Sequence, residues 1–145
     1  MILVDVNVLV YAHREDTSRH LEYHAWVDGV VNGDEAYGVS DLVLSGFLRV
    51  VTNPQVFAAP TPMERALEFA EALRGAPTCV PVAPGDRHWE IFIRLCRDAG
   101  VRGNLVPDAW FAALAIESGS EWITTDRDYA RFSGLRWRHP LDGRA

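Results

Sequence analysis

The sequence predicts an α/β fold: a single three-layer α/β/α domain over residues 1–145 with a central, mainly parallel sheet. Short apolar, β-branched runs such as Ile2–Val4 and Trp122–Thr125 alternate with longer stretches of helical periodicity, the pattern of β–α–β crossovers. The first run is apolar at every position, as a strand covered on both faces must be. A length of 145 residues suits one core, and no repeat or linker divides it.

The elements follow in order. Ile2–Val4 is the first strand and ends at Asp5. Ser18–Val31 places Tyr23, Trp26, Val27, Val30 and Val31 at helical spacing and stops at Asn32-Gly33. Ala36–Val39 is a second strand, and Ser40 an N-cap for a helix through Leu42, Val43, Phe47 and Val50, ending before Asn53-Pro54. Thr61-Pro62-Met63-Glu64 reads as a capping box with proline at the first helical position; its helix runs to about Arg74 and closes at Gly75. Thr78–Val82 is a third strand. Asp86 is expected to cap a helix with Trp89, Phe92, Ile93 and Cys96 on one face, closed by Gly100. Pro107 opens a helix with Phe111, Leu114 and Ala115 inward and Gly119 at its end. Trp122–Thr125 is a strand, Tyr129–Phe132 a short helix and Leu135–Trp137 a last strand.

Composition narrows the function. No apolar run has membrane-spanning length, and MILVDVNVLV lacks the leader, apolar stretch and cleavage site of a secretion signal; a cytoplasmic protein with no membrane partner is expected. Cys79 and Cys96 are too few and too far apart for a disulfide framework or a zinc site and read as two buried thiols. His20 and His24 lack the adjacent glutamate of a zinc protease and read as helix-surface residues. The net charge of −6 is a weak guide, because a carboxylate site is acidic until its metal reverses the local field. All 14 basic residues are arginine, and Arg127, Arg131, Arg136, Arg138 and Arg144 crowd the last stretch. Arginine suits phosphate and base contacts; a compositional bias explains the same count equally well.

Open parallel sheets place their sites beyond the carboxyl ends of strands. Asp5 follows the first strand, Asp126 follows Trp122–Thr125, and Asp128 lies two residues on. Asp108 sits in the first turn of the helix opened by Pro107, where the dipole favours its ionised form. Singly, each reads as a turn former or helix-start residue; four at one edge read as a site. Like charges brought together raise each other's pKa unless a cation joins them. Hard oxygen donors suit Mg²⁺ or Mn²⁺, and a carboxylate-held ion of that kind activates water for phosphodiester hydrolysis. Asn7 is expected to orient Asp5 or a water through its amide. Thr124 or Thr125 reads as a carboxylate or phosphate partner, or as a plain strand-end residue.

Taken together, Asp5-Val-Asn7, Leu42–Pro54, Pro107-Asp108-Ala109 with Ala112 and Ala115, and Thr124-Thr125-Asp126-Arg127-Asp128-Tyr129 resemble the PIN-domain nucleases. More narrowly, they are similar to the VapC ribonuclease toxins of bacterial toxin–antitoxin pairs. The resemblance covers essentially the whole chain. It implies an Mg²⁺-dependent endoribonuclease (Mn²⁺ serving as well) with metal ligands Asp5, Asp108 and Asp126, assisted by Asp128 and Asn7. It also implies an RNA substrate, a small antitoxin that blocks the site, and a homodimer. One position departs from the pattern: Gly46 stands where the family carries a glutamate, and Asp41, five residues earlier, faces elsewhere on that helix. Two alternatives stay open. A haloacid-dehalogenase-like phosphatase also uses an aspartate after the first strand, but here Asn7 replaces its second aspartate and no lysine exists to steady a phosphate. The other is a PIN-like module that binds RNA without cutting it.

Overall fold

Strand β1 (Ile2–Val4) runs straight into helix α1 (Val6–His13), because Asp5 stops one and caps the other. Its backbone is extended, at φ −78° and ψ 159°, and its carboxylate accepts the Val6 N–H, a regular N-cap geometry. Helix α2 (His20–Val31) leads to β2 (Tyr37–Val39); α3 (Asp41–Val51) and α4 (Met63–Gly75) lead to β3 (Cys79–Pro81). Helices α5 (His88–Ala99) and α6 (Val106–Glu117), joined by a 3₁₀ turn at Gly103–Leu105, lead to β4 (Glu121–Ile123). A 3₁₀ turn over Arg127–Arg131 precedes β5 (Trp137–Arg138). This is a computed structural model, and it describes residues 1–142.

All four strand pairings are parallel, in the order β3-β2-β1-β4-β5. From β1 the chain steps outward to β2 and β3, then crosses back to β4 on the other side of β1. Right-handed crossovers therefore put α1 to α4 on one face and α5 and α6 on the other. The packing agrees: α1 lies on α2 and α3, α3 on α4, and α5 on α6. The boundary between β1 and β4 is the topological switch point, where the connections diverge and leave a crevice. The central strands are closed in: Leu3, Trp122 and Ile123 have no exposed surface. Beside Leu3, Gly38 is required by space, since a Cβ there would meet Val82 Cγ2 at 2.9 Å and Leu3 Cδ1 at 3.1 Å.

Several local expectations are corrected. No element is assigned to Val6–His13 from sequence; VNVLVYAH is rich in β-branched residues and nearly continuously apolar. Burial of Val8, Leu9, Val10 and Ala12 overrides that weak propensity. The capping box at Thr61 does not form: α4 has no side-chain cap, and Thr61 Oγ1 instead meets His13 Nε2 at 3.1 Å and Arg14 Nη1 at 3.3 Å. Asp86 does not cap α5; Glu117 accepts the Gly85 and Arg87 N–H groups at 2.7 and 2.9 Å. The inward face of α5 is His88, Ile91 and Leu95, with Trp89 66% exposed. Gly100 ends that helix as expected, in the left-handed region at φ 61°. Cys79 and Cys96 are free and only half-buried. His20 and His24 turn their Nδ1 atoms to the carbonyls of Tyr11 and Ala12, which ties α2 to the end of α1.

Candidate active site

At the switch point the strand ends are held in register before any side chain acts. Val4 pairs with Ile123, and the Asp5 N–H donates to Ile123 O at 2.9 Å. Asp5 and Thr124 thus emerge side by side at the carboxyl edge. Thr124, fully buried, donates its hydroxyl to Asp5 Oδ2 at 2.7 Å. Thr124 Oγ1 also accepts the Asp126 N–H at 3.0 Å. Asp126 Oδ1 in turn accepts the Asp128 N–H at 2.8 Å and caps the 3₁₀ turn. A continuous hydrogen-bonded path therefore runs Asp5, Thr124, Asp126, Asp128.

Asp108 reaches this edge from α6. It lies in the first turn of that helix, half-buried, and its Oδ1 accepts the Tyr129 hydroxyl at 3.2 Å. Asp128 is exposed; Arg131 donates Nε to its carbonyl at 3.0 Å and sets Nη2 3.9 Å from its carboxylate. Asn7 lies in the first turn of α1, and its Oδ1 is buried with no hydrogen-bond partner among the described residues. A buried acceptor without a donor is costly, so this atom marks a place where a water or ligand donor is wanted.

The electrostatics show that the acids share one region. Burial pushes Asp5 up to about 6, against the lowering pull of the Thr124 and Val6 hydrogen bonds; Asp108 and Asp126 push the same way as burial. Burial also raises Asp108, with Asp126 and Asp128 adding to the rise while Tyr129 and Arg131 oppose it. Burial, then Asp5 and Asp108, keep the Tyr129 phenol protonated. Among the described residues no three His, Cys, Asp or Glu side chains converge closely enough to hold an ion unaided. Mg²⁺ binds through one or two carboxylates and keeps several waters. A group of mutually repelling carboxylates, with an orphan amide oxygen on Asn7 two residues after Asp5, fits that ion.

The sequence-predicted residues are thus placed as follows. Asp5, Asp126 and Asp128 join in one hydrogen-bonded path, Asp108 is electrostatically coupled to all three, and Asn7 adjoins Asp5 along α1. Gly46 borders the same region: a Cβ there would sit 3.0 Å from Val6 Cγ2, next to Asp5. Asp41 is elsewhere, paired with Arg74 at 2.8 Å. The C-terminal arginines do not form one patch. Arg127 and Arg131 flank the acids, whereas Arg136 and Arg138 bond to Gly119 O and Glu121 near the start of β4; Arg144 lies outside the described residues. Of the two readings left open for the threonines, the structure makes Thr124 a carboxylate partner, that of Asp5; Tyr129 was given no site role from sequence. Thr124 carried a local signal, standing two residues before Asp126 as a turn-forming threonine does. Its bond to Asp5 spans 119 residues and leaves no local trace.

A cavity of about 830 Å³ opens at the other edge, lined by Met1, Trp26, Tyr37, Glu121 and Arg136 among others. Size alone would favour it. The chemistry favours the acidic edge, where burial runs from a buried Asp5 through half-buried Asp108 and Asp126 to an exposed Asp128.

The PIN domain family model matches residues 2–135. VapC ribonuclease Mb2897 of Mycobacterium bovis is 48% identical over 143 residues, 99% of this chain and 97% of its own length. Ribonuclease VapC25 of Mycobacterium tuberculosis is 39% identical over 140 residues, covering 97% of this chain and 99% of its own. Among solved structures, VapBC2 from Rickettsia felis, bound to a DNA fragment from its promoter, superposes with a TM-score of 0.67 at 16% identity, covering 96% of this chain and 98% of the other. Mycobacterium tuberculosis VapC20, described as a sarcin-ricin loop cleaving toxin, gives 0.61 at 18% identity, covering 94% and 99%. At those identities the structural likeness bears on the fold alone.

Proposed function

The chain belongs to the PIN-domain family and, within it, to the VapC ribonucleases, and from that premise we propose that it is an Mg²⁺-dependent endoribonuclease acting as the toxin of a type II toxin–antitoxin pair. Residues 1–145 form one nuclease domain, cytoplasmic in location; no helix among the described residues is long and apolar enough to cross a membrane. The partners are RNA as substrate, a small antitoxin that covers the acidic edge, and a second copy of the chain. One observation carries the reading: a buried aspartate, pushed up to about 6, is joined through Thr124 to a second aspartate at the switch point. A fold tolerates such an uncompensated acid where a cation is to neutralise it.

Asp5, Asp108 and Asp126 would hold the ion, in part through its bound waters, with Asp128 assisting from the rim. When bound, a divalent ion lowers the pKa of water and offsets charge building on the phosphate. The rest falls to the chain itself. Asn7 Oδ1, without a donor among the described residues, accepts a hydrogen bond from the attacking water and so orients it. Thr124 holds Asp5 in one rotamer and keeps Asp126 beside it. Arg131, anchored at the rim through Asp128, is placed to meet an RNA phosphate. Water's oxygen bonds to phosphorus and gives up a proton to solvent, while the ester oxygen leaves with the bond's electrons and takes up a proton from solvent.

Cleavage of RNA should require Mg²⁺ or Mn²⁺ and stop in excess chelator; full activity in chelator would overturn the proposal. Gly46, in place of the family glutamate, favours one second reading, a module that binds RNA without cutting it. Retention of RNA with no cleavage at saturating Mn²⁺ would establish that reading instead.

A further inference from the structure

We propose that Tyr129 is a positioning residue for Asp108: its buried hydroxyl fixes one carboxylate oxygen and leaves the other free for the cation. This rests on the metal-dependent reading above and adds to it a residue outside the acidic set.

The cation has to be met by side chains from three separate elements: the end of β1, the start of α6 and the loop after β4. Thr124 solves half of that problem by joining Asp5 to Asp126. Nothing in the backbone solves the other half. Asp108 stands in the first turn of α6, a helix without a side-chain cap, and an aspartate there has two free torsions. Its nearby cation, Arg131, is already committed through Nε to the Asp128 carbonyl. The hydroxyl of Tyr129 is the one hydrogen-bond donor to Asp108 among the described residues.

That donor cannot wander. The ring is 2% exposed, with Trp122 at 5.5 Å and Phe132 at 5.8 Å between centroids. It rides on the 3₁₀ turn whose N-cap is Asp126, so its position is tied to Asp126 within one turn of chain. Tyr129 therefore transmits the placement of the β4 loop to α6 across 21 residues of sequence. A hydrogen bond from a neutral donor to an ionised acceptor is short-range and directional, and supporting partners of this kind commonly matter to metal affinity by about 10-fold or more.

The test measures Mn²⁺ binding to the whole metal-free chain by electron paramagnetic resonance, with no substrate present. Wild type, Tyr129→Phe, Asp108→Asn and the double variant form a cycle. Tyr129→Phe keeps the ring and its packing and should weaken Mn²⁺ binding about 10-fold. In the Asp108→Asn background the same substitution should change nothing, because the acceptor's charge is gone. A packing control, Phe132→Leu, should lower the melting temperature while leaving Mn²⁺ affinity unchanged. Wild-type affinity in Tyr129→Phe, an equal loss in both backgrounds, or an equal loss in Phe132→Leu would each overturn the role of the hydroxyl. Wild type that takes up no Mn²⁺, or affinity unmoved by Asp5→Asn, would instead sink the metal reading itself, a distinct result.

Discussion

Two populations of acids divide this molecule. Away from the carboxyl edge, Asp16, Glu22 and Asp41 each bond to an arginine: Arg14, Arg19 and Arg74. Those hydrogen bonds hold all three carboxyls below the usual carboxylate range. At the edge the shifts reverse. Asp5 and Asp108 are raised by burial and by their acidic neighbours; a threonine and a tyrosine stand where arginines would be, and Arg131 pairs with Asp128, at 3.9 Å, and offsets the rise at Asp108 only in part. Surface acids are neutralised in place at little cost or gain. The edge acids are left short of positive charge, which costs stability unless charge arrives from solution.

Replacing one member of each population is the strongest way to break that contrast. Asp5→Asn should lower RNA cleavage by about 100-fold or more, as loss of a metal ligand does. The same variant should raise the stability of the metal-free chain. The folded-state value of Asp5, about 6, lies above the ordinary 3.8. Its contribution to stability is therefore complete below about 3.8 and lost as pH rises through about 6. At pH 8 the ionised, buried form costs on the order of 3 kcal/mol, so calorimetry without metal should show a gain up to that size. Unchanged cleavage, or a less stable protein at pH 8, would break the comparison. Protons also compete with metal for this carboxylate: at subsaturating Mg²⁺, wild-type cleavage should fall as pH drops below about 6.

A second experiment sharpens the role of the neutral partners. Thr124→Val preserves volume in a fully buried position but removes the donor to Asp5 and the acceptor for the Asp126 N–H. Cleavage should fall about 10-fold or more, with a stability loss of roughly 1–3 kcal/mol from the unpaired groups. Wild-type Mg²⁺ dependence in this variant would show that Asp5 and Asp126 place themselves.

Adding an acid probes the boundary between the populations. Gly46→Glu puts a Cβ 3.0 Å from Val6 Cγ2, a contact that a small shift of Val6 relieves. Mn²⁺ affinity should rise by about 10-fold if a family-type carboxylate is restored. Gly46→Ala serves as the steric control and should leave affinity as in wild type. The smallest effect belongs to Asp41→Asn, which removes an exposed partner of Arg74 and should leave cleavage unchanged. A large loss there would mean that α3 presents Asp41, not position 46, to the site.

Much of this architecture was legible in the chain. Short β-branched runs bounded by polar residues read as buried strands, so β1 and β4, and the edge bearing Asp5 and Asp126, followed from Ile2–Val4 and Trp122–Thr125. Ser40, Gly100 and Gly119 marked helix ends through local chemistry and did so in the structure. Where local signals competed, they misled. Thr61 exchanged its cap for His13 and Arg14, and Trp89 stayed outside although its spacing matched an inward face.

By itself, then, the sequence determined the alternation of strands and helices, the four aspartates at strand and helix ends, and the glycine at position 46. Periodicity, caps and residue type act over a few positions and can be read locally. Only the tertiary structure decided which neutral groups hold those aspartates. The bonds from Thr124 to Asp5 and from Tyr129 to Asp108 cross 119 and 21 residues. They exist because parallel pairing of β1 with β4, and packing of the Tyr129 ring against Trp122, bring distant positions within hydrogen-bond reach, and no local pattern encodes such a meeting.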